Sequence, residues 1–148
     1  MQRELATLPY KKILVPFDGS AGSAKALRRA LLLAREQGAE ITAFSVDEHL
    51  ARYAKGVGEV EEEEGLRQGY FDDLHSKAIS LAQEQGVDLK TADAVGHAAQ
   101  SIVQYAQEEG MDIVVIGHSG HSGIWGSLLG STTARVVDQA TCDVLVVR

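Results

Sequence analysis

A chain of 148 residues with 45% hydrophobic and 24% charged residues has the size and composition of one soluble globular domain. Acids outnumber bases by 21 to 14, a formal net charge of −7, which excludes indiscriminate nucleic-acid binding because that needs many Lys and Arg to neutralise phosphates. The longest aliphatic run, Ala30 to Ala34, is far short of the ~20 residues of a membrane span.

Met1-Gln-Arg-Glu-Leu places an acid early and has no apolar stretch, so no secretory signal is expected. Cys142 is the only cysteine, so no internal disulfide can form, which fits a reducing compartment. A cytoplasmic protein is expected, with Cys142 as a small hydrophobe beside the last strand.

Lys12 to Phe17 (KILVPF) is short, aliphatic and β-branched, and Asp18-Gly19-Ser20 bounds it; it reads as a buried strand. Ala24, Leu27, Leu31 and Ala34 then follow helical spacing, with Lys25, Arg28, Arg29 and Arg35 on the other face and Gly38 as the stop. Glu40 to Val46 is the second strand. A helix carrying Leu66, Tyr70, Leu74, Ala78, Leu81 and Ala82 ends at Gly86.

Between these two, Asp47 to Gly65 holds three glycines and an acid clump, Glu59 and Glu61 to Glu64. At about 19 residues it is long for a connection, and it reads as either a mobile flap or a partly helical stretch. The clump suits a solvated helix start, where negative charge meets the positive end of the dipole.

Asp88 to Val95 is a weaker third strand, followed by a helix with Ala99, Ile102, Val103 and Ala106 that stops at Gly110. Asp112 to Ile116 (DIVVI) is the clearest strand. After a glycine-rich loop come a short helix from about Ser131 to Gln139 and a final strand, Asp143 to Val147. Strands alternate with helices throughout, and continuous aliphatic strands imply cover on both faces. The expected fold is α/β, a parallel sheet with helices on each side. Residues 1–148 form a single domain in this reading, with 1–10 as a short N-terminal extension.

Five of the 15 glycines fall between Gly117 and Gly130. This loop leaves the clearest strand and enters a helix, which is where open α/β sheets hold ligands. Glycines let backbone N–H groups approach closely, and Gly130-Ser131-Thr132-Thr133 opens a helix whose free N–H groups favour an anion. Uncharged backbone donors would let an acidic protein hold a polyphosphate. The competing reading is a plain helix cap at Ser131 or Thr132 behind a flexible loop. No Gly-Lys pair and no G-x-G-x-x-G occur, so neither a Walker P-loop nor the dinucleotide fingerprint is present. The loop's own pattern is G-x2-G-x9-G-S, from Gly117, Gly120, Gly130 and Ser131.

That pattern resembles the signature of the ATP-binding branch of the universal stress protein family. The resemblance runs from Lys11 to Arg148 and includes the opening KILVPFDGS (Lys12 to Ser20) and the closing CDVLVV. Gly96-His97-Ala98 with Ile102 looks like the family's G-x-P-x-x-x-I segment, with Ala98 where proline is frequent. The resemblance implies an open five-stranded parallel sheet of order 3-2-1-4-5, doubly wound, with ATP bridging the ends of strands one and four. It implies that Pro16, Phe17 and Asp18 border the nucleoside and that Val46 offers backbone groups to adenine. Gly117 and Gly120 would lie by the ribose and first phosphate, and Gly130, Ser131, Thr132 and Thr133 by the distal phosphates. Mg²⁺ would travel on the phosphates.

Other residues keep two readings. Asp18 either accepts a ribose hydroxyl or assists Mg²⁺, or it caps the helix beginning near Ser20. His118 and His121 either touch phosphate or accept a phosphoryl group; the simpler reading is two solvated loop side chains. Trp125 reads as a packing anchor or partner surface rather than a base-stacking platform. The loop supplies donors but no Lys, Arg or carboxylate, which is thin apparatus for phosphoryl transfer. The expectation is therefore a nucleotide-binding regulator of stress response with no assigned catalytic or metal-ligating residue. A slow ATPase or phosphotransferase and a ligand-free dimeric scaffold are the alternatives. The final strand lies at a sheet edge, and edges are usually covered; a homodimer through it is expected, as the resemblance also implies.

Overall fold

The computed structural model describes residues 10–48, 57–119 and 128–148, the side chains of 57–63 excepted. Among the described residues five strands and four helices alternate: β1 (Lys12–Pro16), α1 (Ala21–Gln37), β2 (Glu40–Asp47), α2 (Val57–Gln85), β3 (Lys90–Val95), α3 (Ala98–Glu108), β4 (Ile113–Gly117), α4 (Ser131–Gln139) and β5 (Asp143–Val147). Local chemistry sets the boundaries. Ser20 caps α1 by accepting the Ser23 N–H at 3.2 Å. Gly38 ends it in the left-handed region, φ 64°, where a Cβ would be strained.

All strands pair in parallel in the order β3-β2-β1-β4-β5, the arrangement the family resemblance implies. Side chains alternate across the sheet. Ile13 and Val15, with Phe17 just beyond β1, pack with Leu27 and Leu31 of α1 and Leu74 and Ala78 of α2. Leu14 and Val114 face the other way, against Ala99, Ile102 and Ala106 of α3 and Val136 of α4. Two helices on each face make the sheet doubly wound. The central strands β1, β2 and β4 are almost wholly buried, whereas β3 and β5 at the edges alternate with exposure. Among the described residues no helix is long and apolar enough to cross a membrane.

Two boundaries differ from the sequence reading for physical reasons. α2 begins at Val57, nine residues before Leu66, because its acid-rich first turns bear no apolar stripe for periodicity to detect. The connection read as 47–65 is correspondingly shorter, the acid clump falls in the first turns of α2, and residues 49–56 lie outside the described residues. β3 starts at Lys90 rather than Asp88, since its register with β2 begins at Thr42↔Lys90.

α2 also contains glycines that nothing requires. Gly69 is exposed, sits in the helix interior and has open space where a Cβ would go. Gly69→Ala is expected to stabilise the protein by about 0.5–1 kcal/mol by restricting the unfolded chain, measurable as a raised denaturant midpoint with unchanged slope.

Candidate functional site

The sheet opens at one place. β1 and β2 share register over five residue pairs, Lys12↔Glu40 to Pro16↔Phe44, but β1 and β4 share it only at Ile13↔Ile113 and Leu14↔Val114. Beyond Leu14 the two central strands part. The chain also winds to β2 and β3 on one side of β1 and to β4 and β5 on the other, so this fork is the topological switch point. A cleft of about 370 Å³ occupies it, within the range of small-molecule sites.

Of the residues singled out from sequence, Pro16, Phe17, Asp18, Val46, Gly117, Gly130, Ser131, Thr132 and Thr133 all line this cleft. Gly120, His121 and Trp125 lie outside the described residues. His118 differs from expectation. It is not a solvated loop side chain but is buried at 9% exposure, because its backbone is pinned on both sides. Its N–H donates to Val147 O at 2.8 Å and its carbonyl accepts from Gly130 N–H at 2.9 Å, which draws residue 118 in between β5 and the start of α4.

At one end of the cleft α4 begins. Gly130 is its N-cap, with φ −58° and ψ 148°, angles any residue can adopt. Its contribution is therefore that it brings no side-chain acceptor to occupy the first-turn N–H groups. No side-chain cap bond is made there, so the first-turn N–H groups of Ser131, Thr132 and Thr133 have no intrahelical acceptor and point out of the helix end. Thr133 is a special case: its hydroxyl donates to Gly117 O at 2.7 Å in a buried bond. That bond ties α4 to the end of β4, and leaves Thr133 to face a ligand through its backbone N–H.

At the other end the strand ladder itself provides donors and acceptors. Phe17 N–H bonds Phe44 O at 2.9 Å, and Gly96 N–H bonds Asp47 O at 3.0 Å. Alternate residues of a strand in a parallel sheet turn their backbone groups to opposite neighbours. Phe44 and Val46 thus face the β1 side, where β1 register has already ended at Pro16. Val46 presents its N–H and C=O into the cleft.

Asp18 stands at the mouth, exposed, its Oδ1 accepting Ser20 N–H at 2.9 Å. The helix cap proper is the Ser20 hydroxyl, so Asp18 shapes the turn before α1 rather than capping it. Asp47 and Glu48 also line the cleft. Glu48 Oε1 accepts the Ala98 N–H at 2.8 Å and so caps α3 from 50 residues away. A proline at 98 would lack that N–H; alanine supplies it.

Two further residues, Tyr70 and Gly22, were not visible as site residues in the sequence. Tyr70 follows the apolar spacing of α2, yet it is 42% exposed and lines the cleft. Burial pushes its hydroxyl pKa up, and the carboxylates of Asp47 and Asp18 add to the rise. Gly22 sits so close to the loop after β4 that a Cβ would lie 2.3 Å from Ser119 O. Gly117 returns the contact, since its own Cβ would lie 2.8 Å from Gly22 O. Gly117 is therefore glycine for packing as well as for any ligand. Only a pairing of glycines from distant elements could have hinted at this.

Among the described residues no group of three or more His, Cys, Asp or Glu is placed to hold a metal ion. Cys142 is half-buried, and burial raises its thiol pKa, which disfavours the thiolate form.

Comparison with known proteins bears on the same geometry. Residues 9–148 match the universal stress protein family. Universal stress protein MJ0531 of Methanocaldococcus jannaschii is 35% identical over 146 residues, covering 94% of this chain and 82% of that protein. Among solved structures, UspA of Lactobacillus plantarum superposes with a TM-score of 0.81 at 29% identity, covering 96% of this chain and 100% of that one. A universal stress protein in complex with cAMP has a TM-score of 0.74 at 28% identity, covering 95% and 98%. A match spanning nearly the whole chain, on a sheet of the same order that forks at its switch point, establishes that this chain belongs to the universal stress protein family.

Proposed function

We propose that the chain is a nucleotide-binding regulator that takes ATP in the β1–β4 cleft. The observation that carries this reading is the start of α4. A helix opens into the cleft behind a glycine N-cap that makes no side-chain cap bond, which leaves backbone amides and the ~+0.5 dipole charge for an anion. Ser131 and Thr132 add hydroxyls, and Thr133 adds its backbone N–H. A base would lie toward Val46, with Pro16, Phe17 and Asp18 beside the nucleoside and Gly117 near the ribose. The related protein solved with cAMP supports an adenine nucleotide as the ligand class. Asp18, Asp47 and Glu48 give the cleft three carboxylates, so a triphosphate fits best as its Mg²⁺ complex, with the metal carried by phosphate oxygens.

Regulation fits better than catalysis. Among the described residues lining the cleft none is Lys, Arg or His, the side chains that clamp or accept a transferring phosphoryl group. Turnover, if measured, should be slow, and ligand occupancy would act on shape or partner choice. We also propose a homodimer through β5. That strand pairs with β4 on one side, and Leu145 on it is 40% exposed, an edge that a twin strand would cover. Monomeric mass in light scattering at micromolar concentration would contradict the dimer.

Calorimetry with ATP and Mg²⁺ tests the main reading. Saturable binding that weakens when Mg²⁺ is chelated is expected. A well-folded protein that ignores millimolar Mg²⁺-ATP would overturn it.

A further inference from the structure

Tyr70 stands where the apolar stripe of α2 leaves the core, Leu66 before it being 73% exposed. Its neighbour Phe71 is 2% exposed and Leu74, one turn on, is 4% exposed, both in the core, while Tyr70 is 42% exposed and lines the cleft. Its ring is tilted 57° against Phe71 with centroids 5.4 Å apart. Two other aromatic residues line the cleft, Phe17 and Phe44, but they are 3% and 2% exposed, and Phe44 is stacked on Tyr105 at 4.4 Å. Among the described lining residues, Tyr70 is thus the aromatic with a face still open to a ligand.

Its position along the cleft is also defined. The hydroxyl feels the carboxylates of Asp47 and Asp18, which stand at the ends of β2 and β1. That is the end where Val46 presents its backbone, opposite the amides of α4. An aromatic face there is well suited to a flat heterocycle.

Resting on the nucleotide reading above, we infer that Tyr70 is a specificity-determining residue, whose ring packs against the base of the bound nucleotide and distinguishes it from a bare sugar phosphate. The chemistry required of the ligand is a planar π-system at one end and an anion at the other. The contact tolerates any base with a π-face; selection among bases would come from the hydrogen-bonding groups of Val46.

The test compares ATP with ribose 5-triphosphate, which lacks the base, on the full chain by calorimetry. The unmodified protein is expected to prefer ATP by about tenfold or more, the scale of base–aromatic stacking. Tyr70→Ala should erase most of that preference by weakening ATP alone, and Tyr70→Phe should keep it. A preference unchanged in Tyr70→Ala, or an equal loss for both ligands, would overturn the inference, the second outcome meaning that Tyr70 only props the cleft. If the unmodified protein binds neither ligand, the nucleotide reading itself fails and this inference with it; binding of ATP with no Tyr70 dependence leaves that reading standing alone.

Discussion

Gly22→Ala is expected to destabilise the protein by about 3 kcal/mol, the upper range for forcing extra volume into a packed interior. The added Cβ would lie 2.3 Å from Ser119 O, and a backbone oxygen cannot swing aside as a side chain end can. Either the N-terminus of α1 lifts off the sheet or the chain after β4 moves. Gly22 O already lies against Gly117, at 2.8 Å from where the Gly117 Cβ would be, so the displacement reaches both walls of the fork. For a domain of this size the loss should lower Tm by roughly 10 °C. Ligand affinity should fall as well, because Ser119 and Gly117 line the cleft. A Tm within two degrees of the unmodified protein would mean that α1 and the loop are less tightly joined than the geometry requires.

Gly130→Asp is expected to weaken nucleotide binding by about a hundredfold or more while leaving the fold at least as stable. Aspartate is among the best N-cap residues, and its carboxylate would accept the N–H groups of the first turn of α4. That turn holds no acid, so a negative charge there suits the dipole. The backbone angles at Gly130 suit any residue, and a Cβ would meet His118 O and Ser119 Cα at 3.4 Å, which is ordinary contact. The carboxylate would then occupy the donors proposed for phosphate and repel the bound anion. At about 4 Å and intermediate dielectric, a unit charge pair is worth roughly 4 kcal/mol, so affinity should drop by about a hundredfold or more. Gly130→Ala is the control: it adds bulk without an acceptor and should keep most of the affinity. Equal losses in both variants would indicate steric blockage rather than competition for the amides.

How much of this was legible in the sequence follows from what each feature depends on. Strand and helix alternation was readable because Ile13-Leu14-Val15 and Ile113 to Ile116 are continuous aliphatic runs, buried on both faces, bounded by residues with fixed local roles such as Ser20 and Gly38. The glycine pattern brought Gly117, Gly130 and Ser131 to one cleft because spacing within a single loop is a local property. The start of α2 was not readable, since its first turns are held without an apolar stripe. The burial of His118 depends on hydrogen bonds to Val147 and Gly130, which only the tertiary arrangement brings together. Tyr70 was hidden for the opposite reason. Its spacing fits a core stripe, and only the three-dimensional path of α2 past the open end of β1 turns the ring into the cleft. Glu48 on α3 and Gly22 on Ser119 are likewise pairings across distant chain segments.

In the proposed binding mode main-chain amides at the start of α4 hold the phosphates while Val46, across the fork, meets the base. Titrating ¹⁵N-labelled protein with Mg²⁺-ATP and following each amide by NMR reads this directly. The largest shifts are expected at Ser131, Thr132 and Thr133, with a second set at Val46 and Gly117, and little change along α1 beyond its first turn. Shifts confined to other parts of the chain, with the Ser131 to Thr133 amides unmoved at saturation, would overturn this binding mode.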